Sequence, residues 1–394
     1  MESNRFSGLL PFAACIALVL ATGAAHAATQ VTPVHTPHGG IQPQVAVDEK
    51  GAIHVVYLKG DPKASDVFYV RKDGDKPFTM PLRVNSKPGS AIAGGTIRGA
   101  QLALGRNGRV HVAWNDSGKD APRAPQGYAL CPLNYSRLDP ASAGGAAFEP
   151  QRDLMGNTSV LDGGATIAAD KQGRVFVLWH AADKGAVPGE ANRAVFAAVS
   201  ADDGKTFATE KRASASDGVC ACCGMKAFAD SKGNLYALYR AAKGAMDRDM
   251  ILLFSRDGGK NFSSTALHPW RIGQCPMSSE SLFETQSGVL ASWETAGHIH
   301  FAEVNPATGK PAGPVSPPFG ARAKHPSIVA NAKGERLLVW AEGTGWQKGG
   351  SLAWQLLDAA GKPLGEPGRV ENGVATWSFA VAVARLDGSF VILH

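Results

Sequence analysis

The chain is poor in the features that define most other classes. Tyrosine is scarce, with six in 394 residues. No window shows convincing helical periodicity, which argues against a bundle or an alternating α/β domain. There is no Lys/Arg run behind the formal charge of +6. A nucleic-acid partner is therefore not expected, since phosphate binding needs a concentrated basic stripe. Beyond the first twenty residues no apolar run is long enough to cross a bilayer. No low-complexity tract marks a linker. Cysteine is sparse as well, yet four of the six fall between positions 220 and 275.

The first 27 residues have the form of an export signal. Arg5 supplies the positive start, Leu9 to Leu20 the apolar stretch, and Ala25-His26-Ala27 a small-residue cleavage site. The expected organisation is a signal peptide over 1–27, cut after Ala27, and a single domain over 28–394, placed in a bacterial periplasm or secreted. The mature chain is expected to be soluble, with at most a mild attraction for anionic small ligands or surfaces.

What the chain has in abundance is repetition. Seven times two or three alternating apolar residues lead into a polar turn ending in glycine, then an apolar run ending mostly in Trp or Tyr. The copies are IQPQVAVDEKGAIHVVY (41–57), RGAQLALGRNGRVHVAW (98–114), GATIAADKQGRVFVLW (164–179), GMKAFADSKGNLYALY (224–239), SESLFETQSGVLASW (279–293), HPSIVANAKGERLLVW (325–340) and WSFAVAVARLDGSFVIL (377–393). Their glycines lie at 51, 108, 173, 233, 288, 334 and 388. A third strand signal, and usually a fourth, follows each copy. This predicts an all-β protein, a β-propeller of four-stranded antiparallel blades with seven quasi-repeats, six blades being the alternative. The last copy ends at His394 with two strands, so its blade should be completed by an N-terminal strand near Gln30–His35, because ring closure removes exposed edges.

Two segments between the third and fourth strands of a unit agree closely. Ser200-Ala-Asp202-Asp-Gly204-Lys-Thr-Phe207 and Ser255-Arg-Asp257-Gly-Gly259-Lys-Asn-Phe262 both fit S-x-D-x-G-x-[TN]-[WF]. The Asp can tie a tight hairpin while Gly takes a positive φ and the aromatic plugs between sheets. The motif resembles the Asp box, or BNR repeat, of the sialidase-like β-propellers. That resemblance implies six blades, a pocket on the face opposite the boxes, and, in true sialidases, an arginine triad, a Tyr/Glu nucleophile pair and an Asp acid/base. The family's first arginine belongs to a Phe/Tyr-Arg-Ile-Pro motif, where this chain reads Gly40-Ile41-Gln42-Pro43. Thr96-Ile97-Arg98 is a poor substitute, so sialidase chemistry is not expected to carry over with the fold.

Meander geometry places the candidate pocket residues. Asn115, His180, Arg240 and Glu294 follow the repeat's aromatic and lead into the pocket face, with Asp116, Arg248, Asp249, His325 and Glu342 in the loops nearby. A polar ring of this kind suits a polar small molecule or a glycan; a protein partner is a further reading, since propellers often serve as scaffolds.

The cysteines fall in two neighbouring loops on that face. Cys220-Ala-Cys222-Cys223 precedes the fourth copy and Cys275-Pro276 the fifth. Met225 and Met277 each lie two residues beyond a cysteine. Three readings stand. Export favours disulfides, with Cys275 joined to Cys220, Cys222 or Cys223. Thiolate and thioether ligands would select a soft metal, copper first. A reactive thiol, lowered by Arg240, Arg248 or Arg271, is the third. The combination of Cys-x-Cys-Cys, Tyr239-Arg240, Arg248-Asp249 and Cys275-Pro276 also resembles exported bacterial propellers of the sialidase-like type. The expected function is thus an exported binding or accessory propeller with a Cys/Met-rich site. The alternative is an exo-α-sialidase or related glycoside hydrolase on acidic sugars.

Overall fold

Seven separate sheets are arranged as the blades of a propeller. The computed structural model describes residues 1–2, 29–125, 127–140, 145–215, 218–244 and 246–394; the expected signal peptide lies almost wholly outside the described residues. Among the described residues the helical content is three short 3-10 turns. Seven blades replace the six that the sialidase resemblance implies.

Each sequence repeat forms the two inner strands of a blade. In the third blade these are Ala165–Ala169 and Val175–Asp183, followed outward by Arg193–Ser200 and Lys211–Arg212. The fourth contains Lys226–Ala229, Leu235–Arg240, Met250–Ser255 and Ser263–His268. The polar turn of the repeat is an Asx turn: Asp48 Oδ1 accepts from Ala52 N at 2.8 Å, and Asp230 Oδ1 accepts from Asn234 N at 2.8 Å. The glycine that follows sits in the left-handed region, as at Gly173 (φ 90°), where a side chain would be strained. The aromatic that ends the phrase fills the space between blades; Trp114, Trp179 and Trp293 are fully buried. Truncating such a side chain costs about 3–5 kcal/mol.

Innermost strands have no sheet neighbour on the axial side, and their N–H groups are satisfied by the adjacent blade. Thr166 Oγ1 accepts from Ala227 N (2.7 Å), Ser281 Oγ from Ile328 N (2.9 Å) and Ser327 Oγ from Ala382 N (2.9 Å). The ring closes as the termini require. Val31–Val34 adds to Phe390–Leu393 in parallel, giving a last blade of three strands.

The two S-x-D-x-G segments share one hydrogen-bond pattern. Asp202 Oδ1 accepts from Thr206 N (2.9 Å) and Asp257 Oδ1 from Asn261 N (3.0 Å), while Ser200 and Ser255 accept from Gly204 N and Gly259 N. Both glycines have positive φ, 76° and 79°. Phe207 packs edge-on against Tyr135, 4.8 Å between centroids, and Phe262 against the core between the third and fourth blades.

Candidate functional site: a cysteine cluster beside a closed axis

The centre of the pocket face is occupied by the chain itself. The segment leading into the second blade is tied to the first by Ala93 N and Gly94 N, both 2.9 Å from Pro62 O. It reaches across the axis, where Thr96 Oγ1 meets His325 Nε2 at 3.2 Å. Gln42, in the stretch that corresponds to the sialidase-like motif, donates from Nε2 to the carbonyls of Ala93 and Trp377. Beneath this segment a cavity of about 20 Å³ remains, lined by Gln42, Gln44, Gln101, Gly224, Ser279 and Glu280 among others. That is room for about one water molecule. Farther along the axis Lys226 Nζ lies between Gln44 Oε1 (3.1 Å) and Gln101 Oε1 (3.2 Å), and burial lowers its pKa to about 8.

Off the axis, between the third and fourth blades, the Cys-x-Cys-Cys loop folds on itself. The ligand atoms of Cys220, Cys222 and Cys223 lie within 4.8 Å of one another. Cys220 Sγ is 3.5 Å from Cys222 Sγ and 3.4 Å from Cys223 Sγ. Cys220 and Cys223 are buried, Cys222 is half-buried, and all are free thiols. The loop is held from both sides. Cys220 N donates to Arg240 O (2.9 Å), and Glu190 accepts from Ala221 N through Oε1 (2.8 Å) and from Arg248 through Oε2 (2.6 Å). Hydrogen bonding with Cys222 and then Cys223 pulls the Cys220 thiol well below its ordinary range. The same contacts push Cys222 and Cys223 up.

Around the cluster lies a buried set of charges. Arg240 is 1% exposed, donates to the carbonyls of Arg248 (2.7 Å) and Glu294, and stacks over Trp270 at 4.8 Å. Glu294 accepts from Gly297 N through Oε1 (2.8 Å), and burial raises its carboxyl to about 7. Glu280 is buried with neither carboxylate oxygen hydrogen-bonded, and burial holds its pKa well above the ordinary value. The Arg240 charge opposes the rise at both carboxyls, and a thiolate at Cys223 adds to it.

The candidate residues of the pocket ring part company here. Arg240, Arg248 and Glu294 frame the cluster, and His180 is buried beside Gly163, with Nδ1 3.5 Å from Arg193. Asn115 donates to Gly163 O (2.7 Å), and Asp116 accepts from Gly118 N and Asn134 Nδ2 within its own blade. Asp249 caps Trp270 N (3.0 Å). His325 serves the axial closure, and Glu342 pairs with Trp340 Nε1 and Arg369. The two cysteine loops do touch, through Gly224 N to Ser278 O at 2.8 Å. Cys275 nevertheless stands exposed, a free thiol outside the cluster. Met225 joins the apolar core between the third and fourth blades, and Met277 lies with Trp346 beside Gly95. In this structure no bond joins Cys275 to the cluster, one of the three readings of these cysteines. Glu190 and Glu280 escaped sequence reading; the second carried a signal, a carboxylate at the start of the fifth copy of the repeat, Ser279-Glu280-Ser281-Leu282.

The two raised and two lowered groups have opposite effects on stability. Glu294 keeps its proton in the folded state between about pH 4.5 and 7, where the unfolded chain has released it. Acidification across that window therefore stabilises the fold, by at most about 1.4 kcal/mol per pH unit. Burial lowers His180 and His325 to about 3, so below 6.5 the unfolded chain takes up protons that the folded one refuses, and acidification destabilises. Glu294→Gln removes the first effect only. Its urea midpoint should fall more steeply than the wild type's from pH 7 to 5, and lie above it at pH 8. Parallel profiles would mean that Glu294 ionises normally.

No protein-family model and no curated protein sequence matches the chain. Solved structures do. A Hadza microbial sialidase superposes with a TM-score of 0.50 at 14% identity, over 84% of this chain and 71% of that one. Trypanosoma rangeli sialidase in complex with the inhibitor DANA gives 0.50 at 13%, over 81% of this chain and 56% of its own length. An α-L-arabinanase of Penicillium chrysogenum complexed with arabinobiose gives 0.50 at 13%, over 84% and 98%. At such identities the likeness is one of fold. The chain is a seven-bladed propeller with a sialidase-like fold and a Cys-x-Cys-Cys loop on one face.

Proposed function

We propose that this is an exported binding or accessory propeller whose Cys220, Cys222 and Cys223 hold one soft metal ion, Cu(I) before others. The observation that carries the reading is the convergence of three free sulfurs within 4.8 Å. Thiolate ligands favour Cu(I), for which three sulfurs suffice. A structural zinc would want a fourth protein ligand, and the next cysteine, Cys275, lies exposed outside the group. With metal–sulfur bonds of about 2.3 Å a trigonal site needs sulfurs about 4.0 Å apart. The cluster would have to widen by roughly half an ångström. Arg240 supplies the positive charge that offsets the thiolates in a buried setting. The hydrolase alternative needs space for a sugar ring, and the axial cavity holds about one water.

Copper-edge X-ray absorption on protein loaded with one equivalent of Cu(I) tests this. A shell of three sulfurs, unchanged in Cys275→Ser, is expected. A shell dominated by nitrogen or oxygen, or the loss of sulfur in Cys275→Ser, would refute it.

A further inference from the structure

One of the three cluster cysteines differs from the other two in access, and that difference suggests a reaction. Cys222 is half-buried and reaches the surface, whereas Cys220 and Cys223 are 1% exposed. Cys220 Sγ lies in van der Waals reach of both partners, at 3.5 and 3.4 Å. The chain turns at Ala221 and Cys222. The ends of such a turn bring their Cα atoms within about 7 Å, inside or near the 4.4–6.8 Å span of a disulfide. Cys220 and Cys223 thus form a C-x-x-C pair whose second intervening residue is itself a cysteine. A bond between the adjacent Cys222 and Cys223 is disfavoured by the geometry disulfides demand.

We propose that the cluster performs thiol–disulfide exchange on a small disulfide, with Cys222 as the outer attacking thiol and Cys220–Cys223 as the disulfide that results. Cys222, passing its proton to the Cys220 sulfur 3.5 Å away, attacks one sulfur of the substrate, R–S–S–R, forming a mixed disulfide and expelling one R–S⁻, which carries that proton away as Cys220 enters the next step. Cys220 then attacks the Cys222 sulfur and expels the second R–S⁻. Cys223 finally displaces Cys222 from Cys220, so the buried pair is joined and Cys222 is a free thiol again. Two protein thiols are oxidised, one substrate disulfide is reduced to two thiols, and the protons shed by the cysteines pass to the departing thiolates or to solvent. The proposal uses the same three sulfurs as the metal site but needs no metal; bound Cu(I) would block it by occupying them.

The test is made on chelator-treated, reduced full-length protein incubated with glutathione disulfide, then acid-quenched, alkylated under denaturing conditions and mapped by peptide mass spectrometry. A Cys220–Cys223 linked peptide with Cys222 alkylated is expected, with two glutathione thiols released per protein. Cys222→Ser should slow formation of that bond by about tenfold or more. Protein loaded with Cu(I) should be protected. All three cluster cysteines alkylated, with glutathione confined to Cys275, would overturn the proposal. So would a Cys222→Ser variant that reacts as fast as the wild type. Because the mapping is done without metal, failure of the copper reading would leave this result intact, and the reverse also holds.

Discussion

A chain that begins at Thr36, lacking Val31–Val34, should unfold at markedly lower denaturant, with a stability loss of about 5 kcal/mol. The strand adds four registered residues to the last blade, Val31 opposite Phe390 through Val34 opposite Leu393. It also brings Phe390 N to Gln30 O (2.8 Å) and His394 N to Val34 O (3.1 Å). Each such bond is worth about 1 kcal/mol net, and the apolar contacts of Val31 and Val34 with the neighbouring cores are lost in addition. The truncation leaves Phe390–Leu393 as a bare edge, so association of the variant at micromolar concentration is expected as well. Urea unfolding followed by tryptophan fluorescence measures the first effect, and amide exchange at Phe390–Leu393 the second. A wild-type midpoint with protected amides would mean that the ring does not depend on this closure.

Arg240→Ala should cost about 3–5 kcal/mol, the range for breaking a buried ionic arrangement by removing one partner. The guanidinium is the cation that acts on Glu280, Glu294 and Cys223 together. It also bridges two blades by donating to Arg248 O in the fourth and Glu294 O in the fifth. Without it Glu280, Glu294 and Cys223 lose the positive charge they share, and only Glu294 keeps another, that of Lys324. Both carboxyls should then hold their protons to still higher pH. Arg240→Lys should recover only part of the loss, since an ammonium cannot span both carbonyls and lie flat on Trp270, 4.8 Å away. Chemical denaturation of both variants at pH 7 and pH 5 decides the matter. The deficit of Arg240→Ala should shrink at pH 5, where the carboxyls are neutral. An equal deficit at both pH values would mean that packing rather than charge is what Arg240 provides.

The blades could be read from the chain because their causes are local. An Asp or Asn that accepts from the backbone two and four residues on, a glycine with positive φ and a buried aromatic recur in phase, and each leaves a mark in sequence. The N-terminal closure followed from the same logic, since a last repeat with two strands leaves an edge to be covered. The blade number needed the structure, because the sialidase resemblance and the repeat count disagreed, and seven sheets form.

The site was legible in part. That the two cysteine loops adjoin was inferred from the blade order, and Gly224 N to Ser278 O bears it out. That Cys275 stays out of the cluster was not, because where a side chain points on an irregular loop has no periodic signature. The closure of the axis was invisible for a similar reason. Ala91–Arg98 is a Gly-Gly segment without apolar pattern, and its contacts with Gln42 and His325 reach 51 and 229 residues along the chain. Glu190, which holds both Ala221 and Arg248, sits in a loop that offers no hint of its partners.

The proposed metal site consists of the three sulfurs of Cys220, Cys222 and Cys223 on one face of the propeller. Anaerobic titration of the reduced protein with Cu(I) against a chromophoric copper chelator tests it most directly. One equivalent should be withheld from the chelator by the wild type and by Cys275→Ser, and none by Cys220→Ser or Cys223→Ser. Copper left entirely with the chelator in the wild type, or retained equally by Cys220→Ser and Cys223→Ser, would contradict the account.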